Sequence, residues 1–132
     1  MQWDDSANLG FSASGAGDLY LPVDPSGDAP TVAAQEEDPS SLLNTVRAIL
    51  ALRHQDEDLQ ADAPFKVVCS EAGKPFVYRR GSLLCAVNPS GSELNVSLPG
   101  EMTGSKVLFE IGNSRAADGV LTVGAQSFVI MK

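Results

Sequence analysis

Two groups of neighbouring carboxylates are the residues best suited to acid–base chemistry in this chain of 132 residues: Asp4 with Asp5, and Glu36 and Glu37 with Asp38. A general acid–base pair needs two carboxyl groups that face each other across a cleft in unlike environments. Residues adjacent in a loop or at the start of a helix do not provide that geometry. We therefore predict that these carboxylates are solvated or cap helices, and we assign no catalytic residue.

A histidine or cysteine nucleophile and a metal site are the next possibilities. His54, the sole histidine, follows a helical segment, so we interpret it as a helix-end residue that the helix dipole favours. Cys69 and Cys85, the two cysteines, lie in expected strands. With one histidine they cannot fill a tetrahedral zinc shell, so we predict buried free thiols rather than a disulfide or a metal site. We expect no cofactor, and reduced thiols indicate a cytoplasmic protein.

The composition narrows the class of protein further. A hydrophobic content of 43% and a charged content of 20% are ordinary for a globular chain. The net charge of −8 argues against a nucleic-acid partner, because phosphate binding needs clustered basic residues and the only basic pair is Arg79-Arg80. No apolar run approaches the roughly 20 residues of a membrane span, and the residues after Met1 lack the pattern of a signal peptide. We expect no membrane partner.

One segment, residues 38–55, combines a helix start with a continuous apolar face. We predict that Asp38 caps the first turn and that Pro39 follows it, since the missing N–H of proline has no partner there in any case. The residues that share one face at helical spacing are Leu42, Val46, Ile49, Leu50 and Arg53. Leu52 lies off this face. Burying the face requires a partner surface.

The segments on either side of this helix follow different patterns. Residues 1–37 show no sustained period and are predicted to be a long loop. Residues 56–64 form a polar, acidic connector, and residues 65–132 consist of short apolar runs separated by turn residues. The expected strands are 65–69, 75–80, 82–88, 93–98, 107–111, 120–123 and 126–131. We predict a mostly β fold, a small antiparallel β-sandwich of about seven strands preceded by one α-helix and a long N-terminal loop.

Four blocks of the sequence, in this order and spacing, resemble a known family. They are MQWDDSANLGF at 1–11, YLPVDP at 20–25, VAAQ at 32–35, and DPSSLLN at 38–44 with ALR at 51–53. They resemble the MQWD…N-x-GF, W-L-P-V-N-P and V-x-A-Q segments and the last barrel helix of the alpha-glucosidase and oligosaccharide-glucosidase branch of the alpha-amylase superfamily. Tyr20 and Asp24 depart from the commoner Trp and Asn, which leaves the type of glucosidic linkage open.

The resemblance implies that the chain is the C-terminal end of a larger enzyme. Residues 1–55 would close a (β/α)-barrel, and residues 65–132 would be the antiparallel domain C behind it. In that family an Asp nucleophile, a Glu acid/base and a second Asp act in a retaining arrangement, and they lie upstream of the MQWD block. The resemblance therefore implies no catalytic residue in this chain.

Two residues of the first block are candidate substrate contacts in the parent enzyme, because loops at this face of a barrel form the site. Trp3 could stack on a sugar, and Asp4 could hydrogen-bond hydroxyl groups at an outer subsite. The alternative is that Trp3 packs under its own loop and Asp4 accepts backbone N–H groups, and we favour this structural role.

Two hypotheses of different class follow. The first is the C-terminal portion of a glycoside hydrolase of α-glucosidic bonds, inactive by itself, whose partner is the missing barrel that binds the oligosaccharide. The second is a stand-alone carbohydrate-binding β module that uses exposed aromatic side chains. Against the second, we expect these aromatic residues to be core: Phe65, Phe76, Tyr78 and Phe109. Without a barrel, the helix face is expected to dock on the β module or to pair with a second copy in a homodimer.

Overall fold

The computed structural model describes residues 1–102 and 104–132. The chain divides into two compact units, Met1–Ala51 and Leu52–Lys132, so the division falls within the main helix. The split of the chain into a barrel-derived part and a domain C, at residues 37, 55 and 64, remains a prediction.

The first unit contains a short helix that the sequence did not predict. This helix, α1, spans Val32–Glu37, inside the segment expected to be a loop. Thr31 caps it, because its hydroxyl oxygen accepts a hydrogen bond from the Ala34 N–H at 3.2 Å. Two single turns of 3₁₀ helix, Ala7–Gly10 and Ala16–Asp18, precede it.

The main helix, α2, spans Leu42–Gln55, so the predicted start at residue 38 is wrong. Ser41 caps it, since its hydroxyl oxygen accepts a hydrogen bond from the Asn44 N–H at 3.2 Å. Asp38 lies in a turn before the helix, where its carbonyl oxygen accepts hydrogen bonds from the Ser41 N–H at 3.0 Å and the Asn44 side-chain amide at 2.9 Å. This turn uses the Asp38 carbonyl and leaves the capping position to a serine.

The second unit consists of antiparallel strands, eight of them in the described ranges. They are β1 Phe65–Cys69, β2 Phe76–Arg80, β3 Leu83–Asn88, β4 Leu94–Ser97, β5 Val107–Ile111, β6 Ser114–Ala117, β7 Val120–Val123 and β8 Ser127–Met131. Seven of them correspond to the expected strands. The eighth, β6, was not predicted.

These strands form two sheets. One has five strands in the order β1-β2-β3-β8-β5, and the other has three in the order β4-β7-β6. Every pairing is antiparallel, including the β1-β2-β3 meander. The predicted fold class, a small antiparallel β-sandwich preceded in the chain by one main helix, is confirmed.

The main core lies between the two sheets. Leu84 and Ala86 of β3 contribute to it from one sheet, and Leu121 and Val123 of β7 from the other, all without measurable exposure. Because successive side chains of a strand point to opposite faces, Leu83 and Cys85 lie on the outer face of the five-stranded sheet. There they form a second, smaller cluster with Ile130.

The two cysteines are both buried and free, as predicted. Cys69 belongs to the core between the sheets, whereas Cys85 belongs to the cluster on the outer face. They therefore lie on opposite sides of one sheet, which excludes a disulfide between them within this fold.

Candidate functional site

The Trp3 segment is held by backbone hydrogen bonds on both sides. The first turn of α1 donates to it, with the Val32 N–H bound to the Gln2 carbonyl at 3.0 Å and the Ala33 N–H to the Trp3 carbonyl at 2.9 Å. The Trp3 N–H in turn donates to the Leu9 carbonyl at 2.8 Å. The backbone of this candidate site is thus fixed between a helix start and a neighbouring turn.

Asp4 accepts hydrogen bonds from within its own loop. Its Oδ1 atom accepts from the Ser6 N–H at 2.9 Å and from the Ser6 hydroxyl. The hydroxyl and then the N–H stabilise the charged form, so they hold the pKa of the Asp4 carboxyl below its usual value. Asp4 thus stays ionised in a formed turn.

Trp3 is 49% exposed, so its indole does not pack fully under the loop. A half-exposed indole offers an apolar face with an N–H at its edge, which suits contact with a polar ligand. The predicted sugar contacts of Trp3 and Asp4 remain a prediction.

Three consecutive residues next to Asp4 adopt left-handed backbone conformations. Asn8, Leu9 and Gly10 have φ values of 55°, 56° and 66°. Sequence reasoning did not single out these residues. The available signal was the spacing of Asn8 and Gly10, two residue types that tolerate positive φ.

The other candidate charged residues serve local roles. Glu36 forms an ion pair with Arg47 at 2.8 Å, and Asp38 accepts a hydrogen bond from the Ser40 N–H at 2.8 Å. His54 lies in the last turn of α2, as expected. Over residues 1–102 and 104–132, no group of three or more His, Cys, Asp or Glu side chains could hold a metal ion, and no helix is long and apolar enough to cross a membrane.

The predicted apolar face of α2 is largely exposed. Leu42 is 74% exposed, Val46 44% and Leu50 47%. Leu52, which the sequence placed off this face, packs instead against the cluster around Leu83 on the five-stranded sheet. The expected docking of this face on the β module, or its pairing with a second copy, remains a prediction.

The aromatic residues of the outer sheet face are not all core, which corrects the sequence expectation. Phe65 is 56% exposed and Phe76 is 39% exposed, whereas Tyr78 and Phe109 are partly buried. The Tyr78 ring lies 5.3 Å from Phe65 and 5.5 Å from Phe76, with tilts of 35° and 34°. Because the rings are tilted, they do not form the flat platform that the carbohydrate-binding alternative needs.

Burial dominates the electrostatics at the centre of this face. It raises the pKa of Tyr78 to about 12, and the pKa of the neighbouring Cys85 thiol also rises because of burial. Both groups are therefore uncharged at neutral pH, so neither is an activated nucleophile.

An antiparallel sandwich of five and three strands behind a helix resembles the C domain of alpha-amylase-family enzymes. No protein-family model matches the chain. The chain is 34% identical over 79 residues to oligo-1,6-glucosidase of Parageobacillus thermoglucosidasius, which covers 60% of this chain and 13% of that protein. It is 44% identical over 61 residues to the trehalose synthase/amylase TreS of Mycobacterium tuberculosis. That match covers 42% of this chain and 10% of TreS.

Solved structures agree with these sequence matches. The trehalulose synthase MutB of Pseudomonas mesoacidophila MX-45 superposes with a TM-score of 0.84 at 25% identity, over 99% of this chain and 24% of that one. These matches confirm the resemblance to the alpha-amylase superfamily that the four sequence blocks indicated. The chain spans less than a quarter of the length of each of these relatives.

Proposed function

We propose that this chain is the C-terminal part of a glycoside hydrolase that acts on α-glucosidic bonds of oligosaccharides. In this proposal residues 1–55 complete the catalytic barrel, and the β-sandwich stabilises the barrel without supplying a catalytic carboxylate. The names of the similar proteins, a glucosidase and sugar synthases, support the substrate class. The two buried free thiols support a cytoplasmic location, because thiols stay reduced there.

The observation that carries this proposal is the lack of an apolar core in the first unit. Within residues 1–51, all of which the structure describes, the buried residues are Thr31 and Ser41, and both are polar. The large apolar side chains exposed there are Met1, Trp3, Phe11, Tyr20, Leu21, Leu42, Val46 and Leu50. Exposed apolar surface of this kind marks a site where another surface binds.

The apolar face of α2 identifies where that surface would act. Full burial of one aliphatic side chain contributes about 1.5–3 kcal/mol. Because Val46 and Leu50 are already about half buried, covering them together with Leu42 would contribute roughly 4 kcal/mol. The barrel is the partner that we propose for this face, and a second copy of the chain is the competing partner.

The length and activity of the native protein test the proposal. We expect the native product to contain roughly 500 residues or more, since a barrel alone needs about 250, and to hydrolyse α-glucosides. The isolated 132-residue chain should hydrolyse no nitrophenyl α-glucoside. Hydrolysis by the isolated chain, or a native product of only this length, would contradict the proposal.

The same preparation distinguishes the carbohydrate-binding alternative. If the chain is a stand-alone module, it should bind maltose or starch by itself, and a Phe65→Ala variant should bind less. If the chain is a structural domain, it should show no saturable binding to either sugar, and Phe65→Ala should change nothing.

A further inference from the structure

The turn formed by Asn8, Leu9 and Gly10 is the strained part of the loop that carries Trp3. Asparagine and glycine tolerate the left-handed conformation, whereas it is costly for a bulky residue such as Leu9, whose φ is 56°. Strained conformations of this kind persist only where the surrounding contacts hold them, and they concentrate at functional sites. The contacts around this turn therefore indicate which residues the strained conformation holds in place.

The Leu9 carbonyl is the centre of those contacts. In the left-handed conformation it accepts hydrogen bonds from the Trp3 N–H at 2.8 Å and the Asp4 N–H at 3.4 Å. The Asn8 side-chain amide closes the other side of the turn, where it donates to the carbonyls of Ser12 at 2.9 Å and Ser14 at 2.7 Å. The strain at Leu9 is thus coupled to the position of both candidate sugar contacts.

Gly10 makes room for the Asp4 carboxylate. A Cβ atom at Gly10 would lie 2.7 Å from Oδ1 of Asp4 and 2.9 Å from its Cγ, closer than real Cβ atoms approach other atoms. The φ of Gly10, 66°, also disfavours any other residue. Any side chain at this position would displace the carboxylate.

We propose that Asn8 and Gly10 are positioning residues that hold Trp3 and Asp4 for contact with an outer sugar unit of the substrate. This inference rests on the proposed function. The half-exposed Trp3 indole offers an apolar face, and the ionised Asp4 carboxylate accepts hydrogen bonds from hydroxyl groups. A sugar ring, with an apolar face and neighbouring hydroxyls, presents both complementary features.

The positioning role can be measured without sugar, because Trp3 is the only tryptophan. The fluorescence anisotropy of the 132-residue chain therefore reports on this loop. We expect two variants, Gly10→Ala and Asn8→Gly, to lose most of the difference in anisotropy between the native and the urea-unfolded chain. Asn8→Gly keeps the left-handed backbone accessible but removes the side-chain amide. Gly17→Ala is the matched control, because nothing lies within 4 Å of its Cβ and its φ is not positive.

Two results of this measurement would overturn the positioning role. One is an anisotropy for Gly10→Ala equal to that of the unsubstituted chain. The other is an unsubstituted chain whose anisotropy already equals the urea-unfolded value, since Trp3 would then not be held at all.

The sugar role is tested by kinetics in the full-length protein. We expect Gly10→Ala to raise KM for a trisaccharide about tenfold, and to leave kcat and the KM for nitrophenyl α-glucoside within about twofold, because only the trisaccharide reaches the outer subsite. Gly17→Ala should change neither KM nor kcat for either substrate. An equal rise in KM for both substrates in Gly10→Ala would overturn the proposal. A full-length protein that hydrolyses neither substrate would overturn the proposed function and the sugar role with it, while the anisotropy still decides whether Asn8 and Gly10 hold Trp3.

Discussion

Replacing the buried Asn88 by alanine should destabilise the β-sandwich far more than replacing the exposed Asn95. Asn88 has no measurable exposure, and its side-chain amide donates to the carbonyls of Ser92 at 2.8 Å, Val123 at 3.0 Å and Gly124 at 2.7 Å. Its Oδ1 atom accepts from the Ser90 N–H at 3.0 Å. One side chain on β3 thereby ties the five-stranded sheet to the end of β7 in the other sheet.

The size of the effect follows from these contacts. Each hydrogen bond contributes about 1 kcal/mol net, and leaving a buried partner unpaired costs about 1–3 kcal/mol. With two amide hydrogens and one acceptor removed, Asn88→Ala should lower the free energy of unfolding by about 3–4 kcal/mol. Domains of this size are stabilised by roughly 5–10 kcal/mol, so the loss is a large fraction of the total.

Urea denaturation of the isolated chain, followed by far-UV circular dichroism, measures this loss. With a urea slope of about 1–1.5 kcal/mol per molar, the midpoint should fall by about 2–4 M. Asn95→Ala is the matched control, because Asn95 is exposed and makes one side-chain hydrogen bond, with Thr122 at 2.6 Å. It should cost less than about 1 kcal/mol. A loss of under 1 kcal/mol for Asn88→Ala, or equal losses for both variants, would refute the reasoning.

Three further predictions concern other parts of the chain. Gly81→Ala should cost about 2 kcal/mol or more in urea denaturation, because its φ is 53° and a Cβ would collide with Asp58, whereas Gly91→Ala, with nothing within 4 Å, should not. The Ser82 hydroxyl and N–H lower the pKa of Asp58, so this contact stabilises the fold above the ordinary carboxyl pKa and is lost as pH falls through the lowered value. The difference in the free energy of unfolding between the unsubstituted chain and Ser82→Ala should therefore shrink as the pH falls from about 6 to about 3. A difference that grows on acidification would contradict this prediction. Leu50→Gln should leave the melting temperature of the isolated chain unchanged and lower that of the full-length protein, and equal shifts in both would argue against a barrel partner for this face.

Most of the β-sandwich was predictable because each strand is a short apolar run between turn residues. The missed strand, β6, has the sequence Ser-Arg-Ala-Ala over Ser114–Ala117 and carries no apolar alternation. It is a strand because it pairs with β7 across a turn at Asp118 and Gly119, whose φ values are 51° and 76°. An Asp-Gly pair with positive φ at both positions is typical of a tight hairpin, so the turn signal was present in the sequence. A polar strand is identified by its turn rather than by its own pattern.

The burial of individual side chains was less predictable, because it depends on which surface covers an element. Periodicity placed Leu42, Val46 and Leu50 on one face of α2 but could not show that they would remain exposed. The same limit applies to Phe65, whose strand is the edge of the five-stranded sheet and whose ring is 56% exposed. Strand alternation predicts which side chains share a face, whereas exposure also depends on the neighbouring elements.

The two units are stabilised by different interactions. The second unit has its own core between two sheets, which includes Leu84 and Leu121 with no measurable exposure. The first unit relies on caps at Thr31 and Ser41 and on an ion pair between Arg47 and Glu36, whose side chains are 54% and 50% exposed. An exposed pair contributes at most about 1 kcal/mol and a cap about the same. Ordering the backbone of a single residue costs about 1–2 kcal/mol, so each of these contacts offsets the ordering of about one residue. The left-handed turn at Leu9 adds to that cost, and the backbone hydrogen bonds of the Trp3 segment with Leu9, Val32 and Ala33 offset it.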